Sequence, residues 1–423
     1  MDLGHPSIPS LEGIPGPSER NIALRVEPEA ERALRRGHPW LFAGSIRRQS
    51  REGAPGDMAV VFDRKGRFLA VGLYDPDSLI RVRVLQHSEP APIRQEWFAT
   101  RLAAANARRK PLRVQPPPAR TSGYRLVHGG NDGFPGLVLD RYQGTLVLKL
   151  YTAAWVPHLR ALVDALKRVD PAERLVLRLG RAVQEQPRNL HGLGDGSVLF
   201  GLPLNDPVLF WENGLRFEGD PIHGQKTGFF LDQRENRERV GPLADGREVL
   251  NVFAYTGGFS VYAARGGASH VVDVDTSAPA LVAAERNMAH NNHLPRVAAV
   301  RHETVLEDAF AALAEMGASG RDFGMVIIDP PAFARRRAQI DGALSAYGNL
   351  TALALDVLSP GGILVQASCS RPIEAETFFK AVHAAARRAG RSLRELERTY
   401  HPIDHPIAFR EAAYLKCLFA EAL

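Results

Sequence analysis

The chain has 423 residues, which is longer than one average domain and predicts two or three. It carries 53 Lys plus Arg against 47 Asp plus Glu, and the resulting charge of +6 favours a polyanionic partner, although solvated charged faces alone would also give it. Its two cysteines, Cys369 and Cys417, exclude a disulfide framework and a cysteine zinc site, so no metal is predicted and a reducing compartment is expected.

The N-terminal part predicts a leader and a small β-rich domain. Residues 1–20 are polar and interrupted by Pro and Gly, which is typical of a disordered leader. Residues 21–91 contain short β-type runs separated by turns, with one short helix pattern at Glu29–Arg36, and predict a small β-barrel. The runs are Ile22–Val26, Met58–Phe62, Phe68–Gly72 and Leu79–Leu85. For His38-Pro39-Trp40, barrel packing and RNA contact remain equally open.

Residues 92–205 predict a small central α/β domain. A helical period covers Ile93–Arg109, and a Pro-rich stretch and the loop-rich Gly129–Gly136 follow. Strands are predicted at Thr145–Leu150 and Leu175–Leu179, on either side of a helix from about Pro157 to Arg168.

Residues 206–423 alternate strand and helix patterns, which predicts a mostly parallel, doubly wound sheet with helices on both faces. Strands are expected at about 248–253, 270–275, 296–301, 323–328 and 362–367, and helices at about 259–266, 277–291, 304–316 and 348–358. Ligands bind outside the carboxyl ends of such strands, so the loop 254–258, Asp275, Asp329 and Cys369 should converge on one crevice. Cys417, which alternates with apolar residues on a terminal strand, is expected in the core.

The whole chain lacks a signal segment and any apolar run of membrane-spanning length. We therefore expect a cytoplasmic protein without a membrane partner.

The loop after the first strand of this last domain predicts the cofactor. Its sequence fits neither the dinucleotide pattern G-x-G-x-x-G nor a triphosphate cradle, so an adenosine ligand without phosphates, S-adenosylmethionine, is favoured. Asp275, about 20 residues beyond the glycines, is placed to bind ribose hydroxyls, or it is an ordinary acid at a helix N-terminus, where Ser277 is the better cap. The predicted cofactor-binding residues are Phe253, Ala254, Tyr255, Thr256, Gly257, Gly258, Asp275, Ser277, Asp329 and Pro330, to which Asp308 is added below.

Cys369 and Asp329 are the predicted catalytic residues. A thiolate that adds to C6 of a pyrimidine makes C5 nucleophilic towards a methyl donor, and a carboxyl group can hold the cytosine edge while charge develops on the ring. The base must reach the pocket unstacked, and a group that the sequence does not identify must remove the C5 proton. A lone cysteine is more often an inert core residue, but here Asp329-Pro330-Pro331 accompanies it. That motif resembles the amine-methylating signature Asp-Pro-Pro-aromatic, yet Phe333 comes one residue late, which weakens amine methylation, and Ser368-Cys369-Ser370 favours carbon methylation.

Arg335-Arg336-Arg337 follows this motif. It fits a solvated charge run and an RNA phosphate contact equally well.

Taken together, these motifs resemble the RlmI-type bacterial ribosomal RNA methyltransferases, which methylate C5 of a cytosine in large-subunit ribosomal RNA. The similarity runs from about Ile22 to the end of the chain. It is carried by His38–Gly44, Tyr124–Val127, Asp132–Gly136, Leu139–Tyr142, Glu212–Gly214, Gln225–Arg234, Asn236-Arg237, Tyr255–Phe259, Asp329–Pro331, Phe333, Ser368–Ser370, Asp404–Pro406 and Tyr414–Lys416.

The resemblance implies an N-terminal PUA domain, a central α/β domain and a Rossmann-like methyltransferase domain, with S-adenosylmethionine as cofactor, large-subunit ribosomal RNA as partner and Cys369 as nucleophile. It also implies that Gln225–Arg234 packs beside the cofactor. The acid that receives the adenine amine in this family is either Glu303 or Asp308 here, and we prefer Asp308.

Two other functions remain open. Guanine methylation of ribosomal RNA by a related enzyme would not need Cys369. A non-catalytic RNA-binding or ribosome-assembly protein would keep the cofactor pocket as a relic. The sequence also leaves a homodimer open.

Overall fold

The computed structural model describes residues 11–116 and 119–423 and divides the chain into two compact units. The first contains the described residues up to Phe210 with Gly219–Leu231 and Ile403–Phe409, and the second contains Trp211–Glu218, Asp232–Pro402 and Arg410–Leu423. The predicted domain bounds at residues 21, 92 and 206 remain predictions, since the two units are interleaved along the chain.

The leader is only partly covered, since residues 1–10 lie outside the described residues. The disorder expected up to residue 20 does not extend to residues 11–20. Leu11–Gly13 forms a 3-10 turn, and Leu11 and Ile14 pack against the core of the first unit.

A six-stranded mixed sheet forms the N-terminal part of the first unit, in the order β2-β6-β5-β4-β1-β3. Its elements are β1 (Ile22–Val26), α1 (Pro28–Arg35), β2 (Trp40–Phe42), β3 (Ile46–Gln49), β4 (Met58–Phe62), β5 (Phe68–Tyr74) and β6 (Ile80–His87). β2 and β3 were not predicted. The rings of His38 and Trp40 lie 5.8 and 5.2 Å from that of Phe409, so this motif packs within the first unit.

A five-stranded sheet in the order β11-β10-β9-β8-β7 forms the rest of this unit. Its elements are α2 (Gln95–Arg108), α3 (Lys110–Arg113), β7 (Gly123–His128), β8 (Leu137–Tyr142), β9 (Thr145–Leu150), α4 (Leu159–Val169), β10 (Arg174–Leu179), α5 (Arg181–Gln184) and β11 (Val198–Phe200). A buried ion pair lies within it: Arg109 binds Asp132 at 2.7 Å, and Arg109 also donates to the Asp404 carbonyl at 2.8 Å. The Asp404 carboxylate accepts from the Arg125 amide at 2.9 Å, which holds the segment Ile403–Phe409 on this sheet.

A hairpin, β12 (Val208–Glu212) and β13 (Leu215–Gly219), precedes the seven-stranded sheet of the second unit. That sheet has the order β16-β15-β14-β17-β18-β20-β19, and only β20 runs antiparallel to its two neighbours. Its elements are α6 (Arg234–Leu243), β14 (Glu248–Val252), α7 (Gly258–Gly266), β15 (His270–Asp275), α8 (Ala278–Ala289), α9 (Pro295–Ala299), β16 (Arg301–Leu306), α10 (Ala309–Ala318), β17 (Phe323–Ile328), α11 (Ile340–Asp356), β18 (Leu358–Ser368), α12 (Ala375–Arg388), β19 (Leu393–Thr399) and β20 (Lys416–Ala422). The strand order reverses between β14 and β17, which is where such folds bind ligands.

The strand expected at 296–301 is wrong. Pro295 starts the short helix α9 there, because its fixed φ suits the first turn of a helix. The strand is β16, which begins at Arg301 and pairs with β15 as an edge strand. The following helix consequently begins at Ala309 rather than near 304. α11 is also longer than predicted and begins at Ile340.

Within the described ranges, no helix is both long and apolar enough to cross a membrane.

Candidate active site

The loop between β14 and α7 has a strained backbone. Phe253 and Tyr255 have φ of 62° and 49°, in the left-handed region that residues other than glycine rarely adopt. Gly257 follows with φ of 69°. Three hydrogen bonds hold this path. The Ala254 amide donates to the Val274 carbonyl at 3.0 Å, the Gly257 amide to the Ala254 carbonyl at 3.0 Å, and the Tyr255 amide to Asp275 Oδ2 at 2.8 Å. Such strain persists where the surroundings fix it, typically at binding sites.

Thr256 contributes a polar atom that suits a ligand. Its carbonyl accepts from Asn287 Nδ2 at 2.9 Å, whereas its buried Oγ1 has no hydrogen-bond partner among the described residues. Buried polar atoms in native proteins nearly always have a partner. Thr256 Oγ1, next to Gly257 and Gly258, can therefore form a hydrogen bond with a bound polar molecule.

Asp275 lies at the carboxyl end of β15 and faces the same loop. Oδ2 accepts from the Tyr255 amide and Oδ1 from the Ser277 amide at 2.9 Å. An ionised carboxylate has about four acceptor positions, so two such bonds leave capacity for ribose hydroxyls. The hydroxyl of Ser277 accepts from the Ala280 amide and caps α8, so Asp275 is not the cap.

The structure places Glu303 and Asp308 differently. Glu303 lies within β16, opposite Val272, and pairs with Arg321 at 3.4 Å. Asp308 lies beyond the carboxyl end of β16 and caps α10, accepting from the Phe310 amide at 2.9 Å. Only Asp308 lies at the edge of the sheet that carries the loop and Asp275.

Asp329 follows β17 directly, and Gln233 orients its side chain. Gln233 Nε2 donates to Asp329 Oδ1 at 2.7 Å, and Gln233 Oε1 accepts from Asn236 Nδ2 at 2.6 Å. Gln233 is buried and precedes α6, within the segment whose position beside the cofactor the resemblance implied. Pattern reasoning did not single out this contact, because a polar segment before a helix carries no periodic signal.

Cys369 follows β18 and is half-buried, and its Sγ donates to the Pro330 carbonyl at 3.8 Å. Thus the thiol lies beside the Asp-Pro-Pro motif, as predicted from strand ends. Cys417 is fully buried on β20, and burial raises the pKa of its thiol, which confirms the prediction that it is a core residue.

The two serines beside Cys369 are fully buried and bind one tyrosine. Ser368 Oγ donates to the Tyr347 hydroxyl at 2.9 Å, and that hydroxyl lies 2.9 Å from Ser370 Oγ. Ser370 Oγ also accepts from the Ala334 amide at 3.1 Å. Burial raises the pKa of Tyr347, which keeps its hydroxyl protonated. The Ser-Cys-Ser segment is therefore fastened to α11 and to the loop that follows Asp329, through a tyrosine that sequence reasoning missed.

Arg335, Arg336 and Arg337 are exposed at this edge, and none lies within ion-pair distance of a carboxylate in the described parts of the chain. Gln339 Oε1 accepts from the amides of Arg335 and Arg336 at 2.9 and 3.0 Å, which orders their backbone. Residues 11–116 and 119–423 contain no group of three His, Cys, Asp or Glu side chains arranged to hold a metal ion.

Residues 124–420 match the family described as S-adenosylmethionine-dependent methyltransferase, and residues 24–87 match a PUA-like domain. A Deinococcus radiodurans protein named ribosomal RNA large subunit methyltransferase is 52% identical over 409 residues, 96% of this chain and 99% of the relative. A Pseudoalteromonas translucida protein named ribosomal RNA large subunit methyltransferase I is 37% identical over 403 residues, 94% of this chain and 99% of the relative.

Among solved structures, the fold is similar to a candidate methyltransferase in complex with SAH, with a TM-score of 0.79 at 23% identity over 94% of this chain and 99% of that one. A candidate SAM-dependent methyltransferase from Streptococcus mutans gives a TM-score of 0.77 at 22% identity, with the same coverage of 94% and 99%. These likenesses support the Rossmann-like fold. The chain therefore belongs to the family of S-adenosylmethionine-dependent methyltransferases that includes the ribosomal RNA large subunit methyltransferases I, and its cofactor is S-adenosylmethionine.

Proposed function

We propose that this protein methylates C5 of a cytosine in large-subunit ribosomal RNA through a covalent adduct between Cys369 and C6 of the base. The observation that carries the proposal is the half-buried thiol of Cys369, on a hydrogen-bonded segment and 3.8 Å from the Pro330 carbonyl of the Asp-Pro-Pro motif. The names of the relatives support the substrate, since they describe enzymes of large-subunit ribosomal RNA.

The cofactor site suits S-adenosylmethionine through the unpartnered Oγ1 of Thr256 and the acceptor capacity of Asp275. When bound there, S-adenosylmethionine supplies an electrophilic methyl group. The other proposed contacts to the cofactor are made by Phe253, Ala254, Tyr255, Gly257, Gly258, Asp308 and Pro330. Ser277 orients Asp275, because its amide donates to the Asp275 carboxylate.

Cys369 acts as the nucleophile. Its thiolate forms a bond to C6 of the cytosine, and the electron pair of the C5–C6 double bond then makes C5 the attacking atom. C5 takes the methyl group as its bond to the sulfonium sulfur breaks, with S-adenosylhomocysteine as the leaving group. C5 then loses its proton to a base, the double bond re-forms, and the bond between the Cys369 sulfur and C6 breaks. The thiolate is regenerated, so the protein is unchanged by the cycle.

Asp329 accepts from the exocyclic amine of the cytosine and shares a proton with N3, which in the free base is an acceptor. A side chain fixed in advance stabilises developing charge better than one that must reorganise, and the 2.7 Å bond from Gln233 supplies that fixation. The reacting C5 and C6 atoms are not accessible while the base is stacked in a helix. The target cytosine therefore enters from a loop or is flipped out.

The test is methyl transfer from labelled S-adenosylmethionine to ribosomal RNA by the wild type, Cys369→Ala and the matched control Cys417→Ala, with the product nucleoside identified by mass spectrometry. We expect 5-methylcytidine from the wild type and the control and none from Cys369→Ala.

RNA with fluorine at C5 of cytosine should trap the wild type covalently, because the fluorine cannot leave as a proton does. A methylated guanosine, or full activity without Cys369, would instead establish guanine methylation or another mechanism. Cofactor binding without any transfer would favour the non-catalytic RNA-binding protein.

A further inference from the structure

Lys416 is the first residue of β20, and only 2% of its surface is exposed. It pairs in register with Ser368, one residue before Cys369. Its three protons are donated to backbone carbonyls of Ser370 at 2.6 Å, Ile373 at 2.8 Å and Tyr414 at 3.1 Å. Two of these carbonyls belong to the turn that immediately follows the thiol, so the cation is fixed against the segment that carries Cys369.

Within the described residues, Lys416 has no carboxylate partner, which is uncommon for a buried charge. Removing an ammonium group from water is costly, and carbonyl dipoles recover only part of that free energy. Burial accordingly lowers the pKa of Lys416 to about 8, while the neighbouring Cys369 acts in the opposite direction. The charge therefore lacks a permanent anion and lies next to a group that becomes one when it loses a proton.

We propose that Lys416 is a positioning residue that favours the thiolate form of Cys369 by holding a positive charge at neutral pH against the segment Ser368–Ile373. The proton leaves the thiol for solvent, and the thiolate is the counter-ion that Lys416 otherwise lacks. This inference rests on the proposed role of Cys369, but it concerns the thiol itself and is measured without RNA.

Of the other charged groups near the pair, Arg371 is a cation two residues after Cys369, but it is exposed, so water and salt screen its charge. The carboxylate of Asp329 disfavours a second negative charge beside it. Tyr347 stays neutral because burial raises its pKa. His401 Nε2 accepts from the amides of Tyr414 and Leu415 at 3.1 and 3.0 Å, and Asp232 accepts from the Tyr414 hydroxyl at 2.8 Å. Lys416 is thus a buried cation that offsets Asp329 at this thiol.

The test is the rate of alkylation of Cys369 by iodoacetamide between pH 5 and pH 10, with the modified residue identified by mass spectrometry. Only the thiolate reacts, so the rate profile gives the pKa of the thiol. Cys417 is fully buried, which leaves Cys369 as the reporting thiol. We expect the wild-type thiol to titrate below about 8.5, the ordinary value.

Lys416→Met removes the charge, and Lys416→Gln also removes it but keeps two donors for the carbonyls. Both variants should raise the pKa of the thiol by about one unit or more, which lowers the alkylation rate at neutral pH about tenfold. If Lys416 only fastened the turn, Lys416→Gln would leave the pKa unchanged, and that result would overturn the proposal.

A wild-type thiol that titrates at or above about 8.5 would overturn the proposal even if neither variant folds. The binding constant for S-adenosylmethionine should be the same in all three proteins, which checks the fold. If the thiol behaves as expected but the product is not 5-methylcytidine, then the proposed function fails and the role of Lys416 stands.

Discussion

The tyrosine beneath the Ser-Cys-Ser segment allows the positioning of the thiol to be tested without changing the thiol. In Tyr347→Phe the ring stays in place, and the two hydrogen bonds of 2.9 Å to Ser368 and Ser370 are lost. Each such bond contributes about 1 kcal/mol, so the free energy of unfolding should fall by about 2 kcal/mol. Because Cys369 lies between the released serines, a displacement of the thiol by a fraction of an ångström should lower kcat roughly tenfold to hundredfold.

The matched control is Tyr262→Phe, another fully buried tyrosine in the same unit, whose hydroxyl donates to Glu212 Oε1 at 3.1 Å. Tyr262→Phe should lose about as much stability as Tyr347→Phe, because a hydrogen bond to a carboxylate contributes more than one to a hydroxyl. Its kcat should nevertheless stay within about twofold of the wild type. The assay combines urea unfolding, following the transition that S-adenosylmethionine stabilises, with single-turnover methyl transfer. Equal kcat in the two variants at equal stability would refute the positioning role of Tyr347.

Three further sets of substitutions test cofactor binding, through Asp275 and Thr256, separately from RNA binding, through Arg335–Arg337. Asp275→Asn should weaken binding of S-adenosylmethionine by one to two orders of magnitude in calorimetry, since hydrogen bonds to charged groups contribute about 1.5–3 kcal/mol. Thr256→Val should weaken binding about tenfold without lowering the stability of the cofactor-free protein, because Oγ1 has no described protein partner to lose; a loss of stability instead would show that Oγ1 is internally bonded. Replacing Arg335–Arg337 by Gln should reduce the salt dependence of RNA binding by about two in the log–log slope, whereas the same change at the exposed, distant Arg387, Arg388 and Arg394 should not.

The central strands of the second unit could be predicted because they are buried on both faces. β17 is apolar throughout, as parallel strands of such sheets often are, whereas the apolar runs of β14 and β15 are interrupted by the buried Asn251 and Asp273. β16 could not be found in this way, since it is an edge strand in which His302, Glu303 and Thr304 are only partly buried. The apolar run after Pro295 resembled a strand instead, and the proline that starts α9 was the signal against it.

The placement of the candidate site residues could be predicted from one rule, that parallel strands bring their carboxyl ends to one edge of the sheet. Asp275, Asp329 and Cys369 each follow or end a strand and lie where that rule places them. Gln233 and Tyr347, which hold two of them, could not be predicted. Their roles depend on hydrogen bonds between elements, and neither helix periodicity nor strand alternation shows which side chains meet across the fold.

The two halves of the site also differ in how far apart in sequence their contacts are. The cofactor loop is held locally, since Tyr255 and Asp275 are 20 residues apart. The thiol segment is held by distant residues, with separations of 36 residues between Ala334 and Ser370 and 46 between Ser370 and Lys416, and Gln233 reaches Asp329 over 96. Contacts with large sequence separation form only when the sheet is complete through β20. Damage to the C-terminal strands should therefore abolish methyl transfer before it abolishes cofactor binding, because the proposed pocket for S-adenosylmethionine is built from elements that precede them.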